Sequence, residues 1–281
     1  MIPVPFDHTP FYPEYVKMMG EQCLTLGSGA NLRVTLDSYG KKWVKTMYFP
    51  IVEDRSLEFK EAINICRNNG VSIFDFVEHP FNTCDGEEIH DIYEQGNNLR
   101  YTDMATFLID LKDEDWRPGK KVRQNCRNFD KAGCYIQLIS DKDDFEKYHK
   151  LYLMHRQDLC LAPWPRGCFD AIWAWRNEST FTLGAYNSDN ELISAMSFLC
   201  GKDWIEEVHV ARVTELPSKV YPIEPIRMGA LDIARERRIS YYDLGGVTPS
   251  PEPNSKDEGI KRSKSKYNGI YKQYKRYVLW L

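Results

Sequence analysis

Ile239-Ser-Tyr-Tyr-Asp-Leu-Gly-Gly-Val-Thr-Pro-Ser-Pro-Glu-Pro-Asn254 decides how the chain is read. A short apolar run stops at the pair Gly245-Gly246, and a proline-rich loop follows. Next comes Gly259-Ile-Lys-Arg-Ser-Lys-Ser-Lys-Tyr-Asn-Gly269, which reads as a basic turn, and then an aromatic strand from Tyr271 to Leu281. Strand, glycines, loop, cations and closing strand frame a site for an anionic ligand. Between Lys256 and Arg276 there are eight Lys or Arg against two acids, Asp257 and Glu258, in a chain of net charge −4. An acidic protein with one basic segment suggests a local anion site, not a general polyanion binder.

Working outward, the helix before this stretch spans Glu224 to Arg237, and three antiparallel strands precede it at Phe181–Tyr186, Leu192–Cys200 and Ile205–Val213. Asn187-Ser-Asp-Asn190 is a hairpin signal between the first two. Earlier still come a helix from Phe169 to Arg176, a helix striped by Phe145, Tyr148, Leu151, Tyr152 and His155, and the strand Cys134–Ile139. Ser140 with Asp143 three residues on reads as that striped helix's cap. Asp113 to Gly133 is a basic helical piece ended by a glycine. The first half alternates strands (32–36, 43–49, 71–77, 102–111) with helices at 13–23 and 57–66, and with a short helix around Glu87–Tyr93. No internal repeat is apparent.

Composition sets limits. The 281 residues suit one large domain or two ordinary ones. No apolar run approaches the ~20 residues of a membrane span, and the opening Met-Ile-Pro-Val-Pro-Phe-Asp lacks a secretory pattern. A cytoplasmic protein without stable membrane insertion is expected. The eight cysteines form no CxxC pair and no nearby His completes a zinc pattern, so buried thiols are expected and no metal site.

Element order in the second half (strand, helix, helix, meander, helix, strand, loop, final strand) is that of a GNAT-type acyltransferase domain. Specific segments extend the likeness. Thr106-Phe-Leu-Ile-Asp-Leu111 with Lys121-Val-Arg-Gln-Asn-Cys-Arg-Asn-Phe-Asp-Lys-Ala-Gly133 is similar to a "LIDL" strand and "R-x-x-x-R-K-A-x-x-x-G" helix. Ala230 to Gly246 resembles a helix and "YDFGG" strand, and Gly259-Ile-Lys-Arg-Ser-Lys264 stands at a "G-x-x-x-F-K" signature. Together they resemble the Fem-type (FemABX) aminoacyltransferases. The resemblance implies an α+β fold of two tandem GNAT-like domains: residues 1–133, degenerate; residues 134–270; and a final strand, 271–281, returning to the first. It implies aminoacyl transfer from aminoacyl-tRNA to an amine on a cell-wall precursor, a smaller peptide or a natural product, with no cofactor besides the tRNA co-substrate. Two departures weaken a cell-wall acceptor: Ser263 replaces the signature aromatic, and the coiled-coil arm of larger members is absent.

Two alternatives stand beside this reading: an N-acyltransferase using acyl-CoA or an acyl-carrier protein, and a catalytically silent GNAT-fold binding protein, to which Ser263 points. Pro217-Ser-Lys-Val-Tyr-Pro-Ile-Glu224 has no glycine to let backbone amides cradle a pyrophosphate, which counts against coenzyme A.

The resemblance assigns Lys264 to oxyanion or leaving-group stabilisation. Asp243 either orients the amine or bonds the following turn. Gly245 and Gly246 serve backbone geometry. Lys261, Arg262 and Lys266 grip phosphate or face water. Arg123 and Arg127, four apart on one helix, guide the tRNA acceptor end or form a solvated basic face. Arg156 is placed at the cleft mouth. His209 lies with Glu206 and Glu207 on the meander strand nearest the expected splay, where a general base would sit, although core histidines are common.

Overall fold

A computed structural model describes residues 2–83, 99–217 and 219–281. The helix expected around Glu87–Tyr93 lies outside the described residues. The described chain is mixed α+β, with eleven strands and seven α-helices. It forms two compact units: unit 1 comprises Met1–Thr106, Gly246–Lys261 and Tyr271–Leu281, and unit 2 comprises Phe107–Gly245 and Arg262–Ile270.

Unit 1 orders its strands β1 (Gln22–Thr25), β2 (Asn31–Leu36), β3 (Lys42–Thr46), β4 (Val71–Val77) and β11 (Ile270–Trp280). All neighbours are antiparallel except β3 and β4, which run parallel. Helix α2 (Arg55–Asn68) makes the crossover between that pair, started by the Asp54 carboxylate accepting the Leu57 N–H at 3.1 Å. Helix α1 covers only Tyr12–Met18. Gly20 at φ +80° ends it, and the remainder of the expected helix becomes β1. The core is aromatic: Phe49, Phe59, Phe74 and Phe76 are buried with ring centroids 5.0–5.9 Å apart. Burying each such ring is worth about 1.5–3 kcal/mol.

Unit 2 orders the end of β5 (Leu99–Asp110), then β10 (Tyr241–Asp243), β9 (Trp204–Arg212), β8 (Leu192–Cys200), β7 (Thr180–Tyr186) and β6 (Tyr135–Leu138). Only β9 and β10 are parallel. Helix α6 (Ile223–Glu236) connects them. Helices α4 (Lys142–Asp158) and α5 (Arg166–Ala174) pack on the other face, where the Tyr148 hydroxyl accepts from Ser197 on β8 and the Thr180 hydroxyl donates to Ile172 on α5. Asp141, not Ser140, caps α4, accepting the Asp144 N–H at 2.9 Å. A carboxylate adds charge to the cap at the positive end of the helix dipole.

Two expectations need correction. The basic piece, helix α3 (Lys120–Lys131), belongs to unit 2, so the first boundary lies at Thr106/Phe107 and not after 133. Its inward residues Val122, Asn125 and Phe129 explain this: Asn125 donates to Glu224 of α6 at 2.9 Å. The segment read as a basic turn is helix α7 (Lys256–Ser265). The Ser255 hydroxyl accepts the Glu258 N–H, and the Glu258 carboxylate reaches back to the Asn254 N–H. Ser255-Lys-Asp-Glu258 is thus a capping-box pattern legible in the sequence.

The two units also reveal a repeat. Trp43, Val44 and Lys45 on β3 pair with Ile73, Phe74 and Asp75, just as Trp204, Ile205 and Glu206 on β9 pair with Tyr241, Tyr242 and Asp243. Counting back from the second strand of each pair without a gap matches Gly70 (φ +68°) with Arg238 (φ +59°), and Ala62 with Ala230. Counting forward from the first matches Tyr48 (φ +54°) with His209 (φ +50°). Few identities survive, and the fold, with its left-handed residues, carries the correspondence.

Candidate functional site

The site is built where β9 outruns β10. Their pairing ends at Asp243 opposite Glu206, and from Glu207 β9 continues paired with β8 but without β10. The Glu207 carboxylate accepts from Arg227 Nε at 2.7 Å and from its NH2 group at 2.5 Å, a bidentate pair. Both side chains are 9% exposed. Tyr242, fully buried, points its hydroxyl at the same carboxylate, 3.5 Å away. The Arg227 guanidinium also lies 5.3 Å from the ring centroid of buried Tyr267.

Lys264, near the end of α7, comes to this cluster. A Cβ placed on Gly245 would lie 3.2 Å from the Lys264 Nζ, and Gly245 holds φ +80°, which other residues adopt only with strain. Glycine here serves both backbone conformation and close approach of the ammonium. Burial pushes the Lys264 pKa down from its ordinary value; Glu207 opposes that, Arg227 adds to it, and Asp243 opposes it. Asp243 is fully buried and accepts the Gly245 N–H at 2.8 Å, fixing the turn.

The segment after Lys264 is stapled down. Gly119 donates to the Lys266 carbonyl at 2.8 Å, Trp116 Nε1 to the Tyr267 carbonyl at 2.9 Å, and Asn268 to the Arg117 carbonyl at 3.0 Å. A Cβ on Gly119 would lie 2.6 Å from the Lys266 carbonyl oxygen, and one on Gly269 2.9 Å from that of Leu108. These two glycines permit backbone contact that fixes where α7 ends.

His209 sits on the opposite face of β9. The register between β8 and β9 shifts there, a bulge that turns the ring toward α4 and α5. The ring stacks on Phe169 at 4.9 Å and meets Tyr152 at 5.7 Å and Trp164 at 5.6 Å. Its carbonyl accepts from Tyr148, whose hydroxyl bonds Ser197, which in turn bonds Thr182. Its Nε2 is buried with no hydrogen-bond partner among the described residues. Burial, then the charge of Arg156, lowers its pKa to about 4, so the ring is neutral near pH 7. Arg156 donates to the Ala162 carbonyl and fastens the loop carrying Trp164, whose N–H bonds the Tyr152 hydroxyl.

Other predicted residues stand elsewhere. Arg123 and Arg127 are exposed on α3. Arg262 is exposed, and Lys266 half-buried, on and just after α7. Lys261 donates to the Pro249 carbonyl and covers the Tyr271 ring at 5.1 Å, and Gly246 lies beside Met104 and Tyr274; all of these are in unit 1. Ser263 is half-buried. No cluster of potential metal ligands exists among the described residues.

Sequence reasoning missed Arg227, Tyr242 and Tyr267, and named Glu207 without its partner. Unit 1 shows what these residues add. At the corresponding positions Thr46 stands for Glu207, Phe59 for Arg227, Phe74 for Tyr242 and Val77 for Gly245. At these four positions unit 1 carries uncharged side chains, whereas unit 2 buries the Glu207–Arg227 pair. A buried ion pair is seldom a gain in stability over apolar packing, so its presence in one copy alone points to chemistry.

No family model and no curated protein matches the sequence. Solved structures do match in fold. FemX superposes with a TM-score of 0.72 at 10% identity, covering 97% of this chain and 91% of that one. The C-terminal domain of a putative lysylphosphatidylglycerol synthetase from Agrobacterium fabrum gives 0.67 at 14%, covering 94% and 85%. L-PGS from Bacillus licheniformis gives 0.64 at 12%, covering 95% and 86%. The chain therefore has the fold of FemX and of these synthetase domains, the α+β fold expected of it.

Proposed function

We propose that the protein is an aminoacyltransferase that moves an aminoacyl group from aminoacyl-tRNA to an amine. One observation carries this reading: a lysine of lowered pKa is brought against a left-handed glycine, beside a buried Glu207–Arg227 pair, where β9 runs on past the end of its parallel partner β10. The fold shared with FemX and with a putative lysylphosphatidylglycerol synthetase supports the transferase class.

In the proposed reaction the neutral amine attacks the ester carbonyl. A C–N bond forms, the ester C–O bond breaks, and the amine proton passes to the departing 3′-oxygen. Lys264 donates to the oxygen that gains charge, and a partly desolvated donor acts more strongly there than one in water. Glu207 keeps that donor protonated against the cost of burial. Asp243 holds the turn in this scheme and does not meet the amine. We propose charged tRNA alone as donor, with Arg262 and Lys266 near its phosphates; the acceptor is an amine-bearing peptide, cell-wall precursor or natural product.

The test is product formation from purified protein, charged tRNA and a panel of amines. Turnover that requires charged tRNA and stops on ribonuclease treatment supports the reading; turnover with acyl-CoA alone refutes it.

A further inference from the structure

The mechanism above leaves the His209 face of β9 without a task, and that face is unusual on three independent counts. First, a non-glycine residue is held at φ +50° in a strand, a conformation that costs about 1–2 kcal/mol. It is locked by the Tyr148–Ser197–Thr182 chain of hydroxyls and by His155, whose Nδ1 lies 3.2 Å from the Val210 carbonyl. Second, the imidazole so displayed keeps one buried ring nitrogen with no hydrogen-bond partner among the described residues, a state that native interiors seldom leave uncompensated. Third, the groups around it are flat. Phe169, Tyr152 and Trp164 meet the ring from three directions, and Trp164, on the loop fastened by Arg156, is 41% exposed.

We infer that His209, Tyr152, Phe169 and Trp164 form a recognition pocket for a flat, uncharged ring of the acyl donor, which hydrogen-bonds His209 Nε2. Trp164 is the movable wall. It sits on a surface loop, and its displacement opens the imidazole from the solvent side. A cationic side chain is disfavoured because Arg156 lies close enough to act on the imidazole. The pocket lies two residues beyond Glu207 along β9, about 7 Å at the usual strand rise. Because the pocket faces α4 and α5 and the Lys264 cluster lies on the other face, a donor held there reaches that cluster around the end of β10, whose pairing with β9 stops at Asp243. In unit 1 the matching residue is Tyr48, so the left-handed backbone recurs but the imidazole does not.

This inference rests on the proposed function only for the word donor; the pocket itself is testable without turnover. Two sources supply such a ring, the side chain of the transferred amino acid and the terminal adenine of the tRNA. The experiment is isothermal titration of the full chain with adenosine, L-tyrosine ethyl ester and L-lysine ethyl ester, repeated on Trp164→Ala and His209→Phe. One of the two ring compounds is expected to bind, and whichever it is identifies the source. Both substitutions are expected to weaken that binding at least about fivefold, the scale of one lost stacking or hydrogen-bond partner. The lysine ester is expected not to bind. Trp164→Ala changes only a surface loop, so it tests the pocket even if His209→Phe disturbs the bulge. Absence of binding by both ring compounds, binding unchanged in Trp164→Ala, or equal binding of the lysine ester overturns the inference. If the pocket binds but no tRNA-dependent transfer occurs, the functional proposal fails alone.

Discussion

Replacing Glu207 by glutamine keeps the side chain's shape and removes its charge. The guanidinium of Arg227 then stays buried, 9% exposed, with two donors formerly matched to a carboxylate at 2.5 and 2.7 Å. Leaving one member of a buried pair costs about 3–5 kcal/mol. At about 2–4 °C per kcal/mol for a unit of this size, its thermal midpoint falls by about 6–20 °C. The same change removes the main charge that opposes the burial penalty on Lys264, so the Lys264 pKa drops further. The alkaline limb of the rate–pH profile therefore shifts to lower pH. Unit 1 supplies the control: Glu207→Thr with Arg227→Phe copies Thr46 and Phe59, replaces both charges together, and is expected to recover most of the lost stability while abolishing transfer. Urea denaturation followed by circular dichroism measures the first effect, and initial rates between pH 6 and 10 measure the second. A loss under about 1 kcal/mol in Glu207→Gln, with an unmoved pH profile, would refute the argument that this pair is both buried and coupled to Lys264.

Three further outcomes follow from the same geometry. Gly245→Ala pays about 1–2 kcal/mol for its left-handed backbone and sets a methyl 3.2 Å from the Lys264 Nζ; folded protein with kcat reduced at unchanged acceptor KM is expected from steady-state kinetics. Lys264→Met should lower kcat by about 10²–10³, as for loss of one oxyanion donor. Because burial lowers the lysine's pKa, the folded chain binds fewer protons than the unfolded one between that value and 10.5, so stability contributed here rises with pH; denaturation curves of Lys264→Met should lack that rise. Finally, His8 and His79 are buried and neutral, each accepting a backbone N–H on Nδ1 while Nε2 donates to a carbonyl. Burial lowers their pKa values to about 4 and about 3 from 6.5. Their stabilising contribution is full above pH 6.5 and is lost as pH falls toward those values. Chemical denaturation between pH 3 and 7 should show the loss, and His79→Gln should reduce it.

Much of the fold was legible because it depends on local pattern. The meander, the helix before Tyr241 and the strand ending at Gly245-Gly246 are periodic segments bounded by turn residues, and they fall within a few residues of their expected places. The cluster around Lys264 was harder to read. Glu207 and Arg227 are joined only by the register of β9 against α6, and nothing in either segment marks a charged residue as inward-facing. Gly119 follows Pro118 and Gly269 follows Asn268, ordinary turn dipeptides, but their need for a bare Cα comes from distant backbone that no local pattern shows. The domain boundary was misplaced because α3 looks like a polar, solvent-facing helix until Val122 and Phe129 meet unit 2. The repeat was hidden because conformation, not residue type, is what the halves share.

The paired left-handed residues Tyr48 and His209 have a consequence for redesign. A kink kept in both copies, with a phenol at one and an imidazole at the other, belongs to the scaffold and leaves its side chain open to choice. The first copy is then a blank socket of known shape. Grafting the pair of charges, the imidazole and a lysine into it would ask whether this architecture can carry a second centre, and glycine at either kink should be tolerated wherever the side chain itself is dispensable.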